Sequence, residues 1–246
     1  MTRLTTCPDA EAVAVRAAAH ITRALERARS QRGVAHIALS GGTTPARTYE
    51  LLAAEPVDWS SVEIWFADER CVAPDDEESN YLLAARTLIG PAGIAAERVH
   101  RMLGELGPLE GSLSYESELG ARLGPPEPAP ASSPAPPVLD IVVLGIGPDG
   151  HICSLFPGAA ALDAQDSVSC LGVSDSPKPP PERITLTLGV LHAARGCLLL
   201  ATGASKADAV NAMLAEPSRH VPASLLARER LTVILDDAAA PDGPEP

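Results

Sequence analysis

From Ala10 to Arg29 the apolar residues Val13, Ala17, Ile21, Ala24 and Ala28 recur every three or four positions, with Arg16, Arg23, Glu26 and Arg27 mostly between them. That spacing predicts an amphipathic helix, and Gly33 ends it. The short apolar run Val34–Leu39 follows, is broken at once by Ser40-Gly41-Gly42-Thr43-Thr44-Pro45, and leads into a helical pattern over Arg47–Ala54. This reads as a strand, a glycine-containing turn and a helix start. The order then repeats. Val62–Phe66 predicts a strand, Ala67–Ser79 a polar loop and Asn80–Leu88 a helix. Further on, Val138–Leu144 is an almost unbroken apolar run, as a strand covered on both faces requires. Cys197–Ala201 and Leu231–Leu235 have the same character, with a helix over Ser205–Ala215 between them.

Alternation of this kind predicts an α/β fold with a doubly wound, mainly parallel sheet flanked by helices, right-handed crossovers, and room for a small subdomain. Ligands in such folds collect at the carboxyl ends of the strands. The stretch Gly124–Pro137 holds seven prolines and reads as a surface loop, because the strand after it completes the same sheet. The expected organisation is therefore one domain over residues 1–237, a proline-rich loop at 124–137 and a flexible acidic tail at 238–246.

Composition narrows the functional classes. With 19 Lys and Arg against 32 Asp and Glu, the net charge is −13, which argues against nucleic acid as a partner. A bound phosphate has to be met by a few local donors. Aromatics are only 3% of the chain, so the core must be built from Ala, Val, Leu and Ile. Five cysteines without a C-x-x-C pair predict free thiols. The N-terminal stretch lacks the apolar core of a signal peptide, and no uncharged apolar run reaches the roughly 18 residues of a membrane span, so a cytoplasmic protein is expected.

Three strand-ending segments carry candidate chemistry. Ser40-Gly41-Gly42-Thr43 can converge backbone N–H groups at the positive end of a helix dipole and hold an anion, although a tight turn that needs glycine has the same sequence. It matches neither standard nucleotide loop. Gly145-Ile146-Gly147-Pro148-Asp149-Gly150-His151 places His151 at a strand end as a candidate general base. Asp149 either holds the imidazole or acts on substrate hydroxyls. In Ala67-Asp68-Glu69-Arg70, the arginine either pairs with its neighbouring carboxylates or binds an anion or polarises a carbonyl. In a parallel sheet Arg70 and Lys206 emerge at the same edge as the Ser-Gly-Gly loop. Cys153 lies two residues past His151 but carries no sign of activation. The other histidines form no ligand pair, so neither a catalytic metal nor a cofactor is expected.

Taken together, SGGTTP, WFADERCV followed by SNY, GIGPDGHICSLFPG, ERITLTL and ATGASKADAV resemble, in order, the 6-phosphogluconolactonase family, over nearly the whole stretch from Val34 to Leu235. The resemblance implies the doubly wound sheet shared with glucosamine-6-phosphate deaminases and ribose-5-phosphate isomerases. It implies a hydrolase of a phosphorylated sugar lactone in the pentose phosphate pathway, with His151 activating water. Asp149 and Arg70 stand with it as catalytic candidates. The implied substrate-binding residues are Ser40, Gly41, Gly42, Thr43, Asp68, Arg183 and Lys206. The expected partner is the small-molecule substrate alone, without nucleic acid or membrane, and the expected assembly is a monomer or weak oligomer. The rival deaminase or isomerase pattern continues DGHIAFNEPG, with a working Glu where this chain has Phe156. A non-catalytic sugar-phosphate sensor is the third reading; such modules accompany a DNA-binding segment for which this acidic chain has neither room nor charge.

Overall fold

The computed structural model describes residues 2–123 and 135–241. The chain opens on strand β1 (Arg3–Cys7) and helix α1 (Ala10–Arg32), then β2 (Ala35–Leu39) and α2 (Thr43–Ala53). Next come β3 (Val62–Phe66), β4 (Asp68–Arg70), α3 (Asn80–Ala84) and α4 (Gly107–Leu123). β5 (Ile141–Gly145), β6 (Cys170–Val173), β7 (Arg183–Leu186), α5 (Leu188–Ala193), β8 (Cys197–Ala201), α6 (Ala207–Leu214) and β9 (Leu231–Asp236) complete it. Six strands form an all-parallel sheet in the order β1-β9-β8-β5-β2-β3. A small antiparallel sheet, β4-β7-β6, stands beside it.

The helices form where capping and burial agree. Asp9 caps α1 by accepting from the Ala12 N–H at 2.8 Å, and Gly33, at φ 81°, closes it with an N–H bond to Arg29 O. Of the predicted stripe, Val13, Ala17, Ile21 and Ala28 are buried and Ala24 is partly buried. Two tyrosines tie the helical layer to the sheet. Tyr49 of α2 donates to Ser40 O and accepts from Ser40 N–H, while Tyr115 of α4 does the same at Phe66. Each hydroxyl satisfies both backbone groups of the residue at a strand's carboxyl end, where the ladder runs out. Tyr49, Tyr115, Trp65 and Phe66 are the largest fully buried side chains, set in an otherwise aliphatic core.

Several elements differ from the sequence reading. The edge strand β1 (RLTTC) carries only one apolar position besides its cysteine and is half exposed, so it has no apolar run to detect. Helix α4 was not expected. It exposes Leu109 and Leu113, and contains Gly111, whose missing side chain lets the helix approach Ile184 and Leu103 O. The expected polar loop at Ala67–Ser79 begins with β4, which is three residues long. Of the expected proline-rich loop, 124–134 lie outside the described residues, as do 242–246 of the tail. At the start of that tail Ala239 is buried, and its N–H bonds to Asp236.

Candidate functional site

The sheet order β8-β5-β2-β3 sets four carboxyl ends side by side, and the segments leaving them, with the loop before β7, line one cleft of about 340 Å³. Ser40, Gly41, Gly42, Thr43 and Thr44 come from the β2–α2 turn; Asp68 and Arg70 follow β3; Gly145–Pro148 and His151 follow β5; Thr202 and Lys206 follow β8. Lys178, Pro179 and Arg183 reach in from the small sheet. The cleft therefore gathers every residue expected from sequence except Asp149, which is bonded to His151 from just behind it.

The β2–α2 turn leaves backbone donors open to the cleft. Gly42 precedes the helix at φ 106°, a conformation that disfavours a side chain, and no side chain caps the α2 N-terminus. The first turn of α2 holds no acidic residue either. Its free N–H groups and the helix dipole thus open onto the cleft. Gly41 is needed for a different reason: a Cβ there would overlap the side chain of Asn80. Asn80 in turn donates to Asp68 O at 2.8 Å and to Asp68 Oδ1 at 3.1 Å.

Alternation along β4 separates its three charged residues. Asp68 and Arg70 share the cleft face. Glu69 turns away and is buried, accepting from the N–H groups of Arg70, Asn80 and Tyr81 and from Ser79 Oγ. Burial pushes its carboxyl up in spite of those bonds. Arg70 donates to Glu78 O and lies 3.7 Å from the Glu78 carboxylate, so of its two readings the ion pair with Asp68 or Glu69 is not formed. In the β4–β7 ladder Arg70 stands directly opposite Arg183. Like charges in register repel, and burial together with the nearby Arg70 lowers the Arg183 guanidinium from its ordinary value. Burial and the neighbouring Lys178 likewise lower Lys206. Four cations thus crowd a cleft of a strongly acidic protein. Two buried polar atoms of cleft residues, Ser40 Oγ and Arg70 Nε, have no hydrogen-bond partner among the described residues.

On the opposite wall His151 Nδ1 lies 2.5 Å from Asp149 Oδ1. A ring nitrogen that close to a carboxylate carries the proton, which leaves Nε2 as the acceptor. Gly147 makes the pair possible, because a Cβ there would overlap both His151 and Asp149, and Gly150, at φ 81°, turns the chain between them. Burial holds the imidazole below its ordinary value and Lys178 adds to this, against the opposing pull of Asp149. Burial acts to raise the Asp149 carboxyl, but the His151 and Lys178 contacts outweigh it and hold the group at about 2. Phe156 lies against His151, ring centroids 4.7 Å apart, and under the Arg183 guanidinium. The Cys153 thiol is pushed well up by burial and is no candidate nucleophile. Among the described residues no three His, Cys, Asp or Glu side chains gather as a metal-holding group, and no helix is long and apolar enough to cross a membrane.

Sequence reasoning missed Lys178, Asn80, Thr44 and Thr202. Lys178 sits in the loop before β7, far in sequence from the base it touches. Thr44 and Thr202 bond across the cleft at 2.6 Å, a contact no local pattern reveals.

A parallel sheet with an uncapped glycine turn, a cationic cluster and a histidine–carboxylate pair at its carboxyl edge defines an α/β protein of the phosphosugar-handling kind. The chain belongs to the glucosamine-6-phosphate isomerase/6-phosphogluconolactonase family, whose model matches residues 8–235. It is 37% identical over 243 residues to the 6-phosphogluconolactonase of Mycobacterium tuberculosis, covering 95% of each chain. The 6-phosphogluconolactonase of Trypanosoma cruzi superposes with a TM-score of 0.85 at 26% identity, over 97% of this chain and 96% of that one. A monomeric glucosamine-6-phosphate deaminase shares the fold, at a TM-score of 0.76 and 21% identity.

Proposed function

We propose that this chain hydrolyses 6-phospho-D-glucono-1,5-lactone to 6-phospho-D-gluconate, the lactonase step of the oxidative pentose phosphate pathway, with His151 as general base. The carrying observation is one cleft that holds both an uncapped helix N-terminus beside a cationic cluster and an imidazole oriented by a carboxylate. The family membership and the lactonase relatives support the same reading.

In this reading the substrate phosphate docks on the N–H groups of the Ser40–Thr43 turn and on Arg183 and Lys206. An anion between Arg70 and Arg183 relieves their mutual repulsion. Anchoring the non-reacting phosphate orients the lactone against His151. Nε2 takes a proton from water as the water oxygen attacks the lactone carbonyl, and the Nδ1–H bond to Asp149 stabilises the imidazolium that forms. Arg70 and loop N–H groups offset charge on the carbonyl oxygen. Collapse of the tetrahedral intermediate expels the ring oxygen, which takes the proton back from His151. Asp68, held by Asn80 and by Ser154 Oγ at 2.8 Å, is fixed for a sugar hydroxyl.

Phe156 favours hydrolysis over the deaminase or isomerase reading. Those reactions need a second acid–base group to move protons on an opened sugar, and here the position beside His151 is an aromatic ring. The protein is expected to act in the cytoplasm without a cofactor. Acid release from freshly prepared lactone above the spontaneous rate, with no ammonia from glucosamine 6-phosphate, is the expected result; ammonia release without lactonase activity overturns the proposal.

A further inference from the structure

Lys178 holds a position that the lactonase reading does not use. Its Nζ lies 3.1 Å from Asp149 Oδ1 and 3.2 Å from His151 Nδ1. Since Nδ1 carries a proton directed at Asp149, the ammonium cannot bond to that nitrogen. It bonds instead to the same carboxylate oxygen that receives the imidazole N–H. Oδ1 is thus shared between two donors, and the pair is a triad of Lys178, Asp149 and His151.

The lysine is held from behind. Ser176 Oγ donates to Lys178 O at 2.8 Å, and Ser176 N–H bonds to Pro181 O at 3.0 Å, closing the loop on itself. Arg183, buried in the first residue of β7, donates from Nε to Pro180 O at 3.0 Å and from Nη2 to Pro179 O at 2.9 Å, with Lys178 O at 3.3 Å. Three successive carbonyls therefore converge on one guanidinium. Its Nη1 makes no hydrogen bond among the described residues, and Arg183 lines the cleft. One side chain faces the anion site with one nitrogen and carries the Lys178 loop on the others.

We propose that Lys178 is a positioning residue of the reaction: its ammonium fixes Asp149 behind His151, and Arg183 ties the Lys178 loop to the phosphate end of the cleft. This rests on the lactonase reading. A cation there has two effects. It locks the carboxylate oxygen in line with Nδ1, and it opposes protonation of the ring, so that His151 stays available as a base. A phosphate bound by Arg183 then sets the base through a short chain of charge-assisted bonds, with no movement of the sheet.

The test is the pH dependence of kcat and kcat/KM for wild type, Lys178→Met and Lys178→Arg on fresh 6-phosphogluconolactone. Lys178→Met should lower kcat roughly 10-fold, less than the ~10²-fold that a 1 Å misplacement of reacting groups can cost. KM should change less than about threefold, because in this proposal the ammonium is committed to Asp149 and not to the substrate. The acid limb should move to higher pH, since a cation that disfavours the imidazolium is gone. Lys178→Arg should restore the wild-type limb. A rise in KM with kcat and the limb unchanged would make Lys178 a direct substrate ligand and overturn the proposal. An unshifted limb in a folded, active Lys178→Met enzyme overturns it too. Failure of the lactonase reading is separate: the wild-type enzyme would then show no lactone hydrolysis at all.

Discussion

Gly147 offers a way to break the chemistry without breaking the fold. Its φ is not positive, so alanine meets no backbone strain there, and a Gly→Ala change at a compatible site stabilises by about 0.4–1 kcal/mol through the unfolded chain. What an added Cβ meets is the functional pair. Built on the native backbone it overlaps His151 Nδ1 and Cε1 and Asp149 Oδ1, all well inside the 3.0 Å below which real Cβ contacts essentially do not occur. The imidazole must swing away by roughly 1 Å or more, and misplacement on that scale costs on the order of 10²-fold in rate, or about 2.7 kcal/mol of barrier. Gly147→Ala should therefore melt within a few degrees of wild type and bind 6-phosphogluconate with little change, since the anion cradle lies on other loops. Its kcat on fresh lactone should fall at least about 100-fold. A variant with kcat within threefold of wild type would show that the His151–Asp149 contact does not carry the base.

Two further outcomes follow from the same geometry. Because burial and Lys178 hold the imidazole below its ordinary value, while Asp149 at about 2 stays charged throughout the working range, kcat/KM should rise with pH through an enzyme ionisation whose midpoint lies below 6.5, alongside the second ionisation of the substrate phosphate at about 6. An enzyme ionisation with its midpoint above 6.5 would contradict the assignment. Tyr49→Phe removes the hydroxyl that satisfies both Ser40 N–H and Ser40 O. Leaving buried backbone groups unpaired costs about 1–3 kcal/mol each, less where water reaches them. The variant should lose roughly 2 kcal/mol, which for a chain of this size lowers Tm by about 4–8 °C. Its KM should also rise as the anion turn loosens, and an unchanged Tm would refute the bracing role.

The parts of the structure that were legible in the sequence are those where one local pattern determines the answer. Cys197–Ala201 is a continuous apolar run because both faces of a central parallel strand are covered, and Val62–Phe66, broken only by Glu63, is buried along its whole length at the sheet edge; the bounds of both agree with the observed strands. The α1 stripe was legible because a long helix repeats its signal over several turns. β1 and the small sheet were not. β1 is partly exposed over most of its length, the strands of the small sheet have only three or four residues and so cannot repeat a period, and Arg183–Leu186 is a strand because β4 and β6 flank it. The site was legible where glycines and a histidine punctuate a strand end. Lys178 was not, because nothing in a proline-rich loop announces that it returns to a histidine 27 residues earlier. The loop is held by the three carbonyls gathered on Arg183 and by the Ser176 bonds, none of which a local pattern announces. Arg70 was read with its sequence neighbours Asp68 and Glu69, yet strand alternation sends Glu69 to cap α3 and leaves Arg70 facing Arg183.

The central claim is that His151, oriented by Asp149, is the base in a phosphate-anchored cleft. It is tested most directly by comparing wild type with His151→Ala in acid release from fresh 6-phosphogluconolactone, with binding of 6-phosphogluconate measured on the same samples. General-base assistance is typically worth about 10²–10⁴-fold. The account predicts a loss of turnover in that range with product affinity within about threefold of wild type. Wild-type turnover in a His151→Ala enzyme would contradict it.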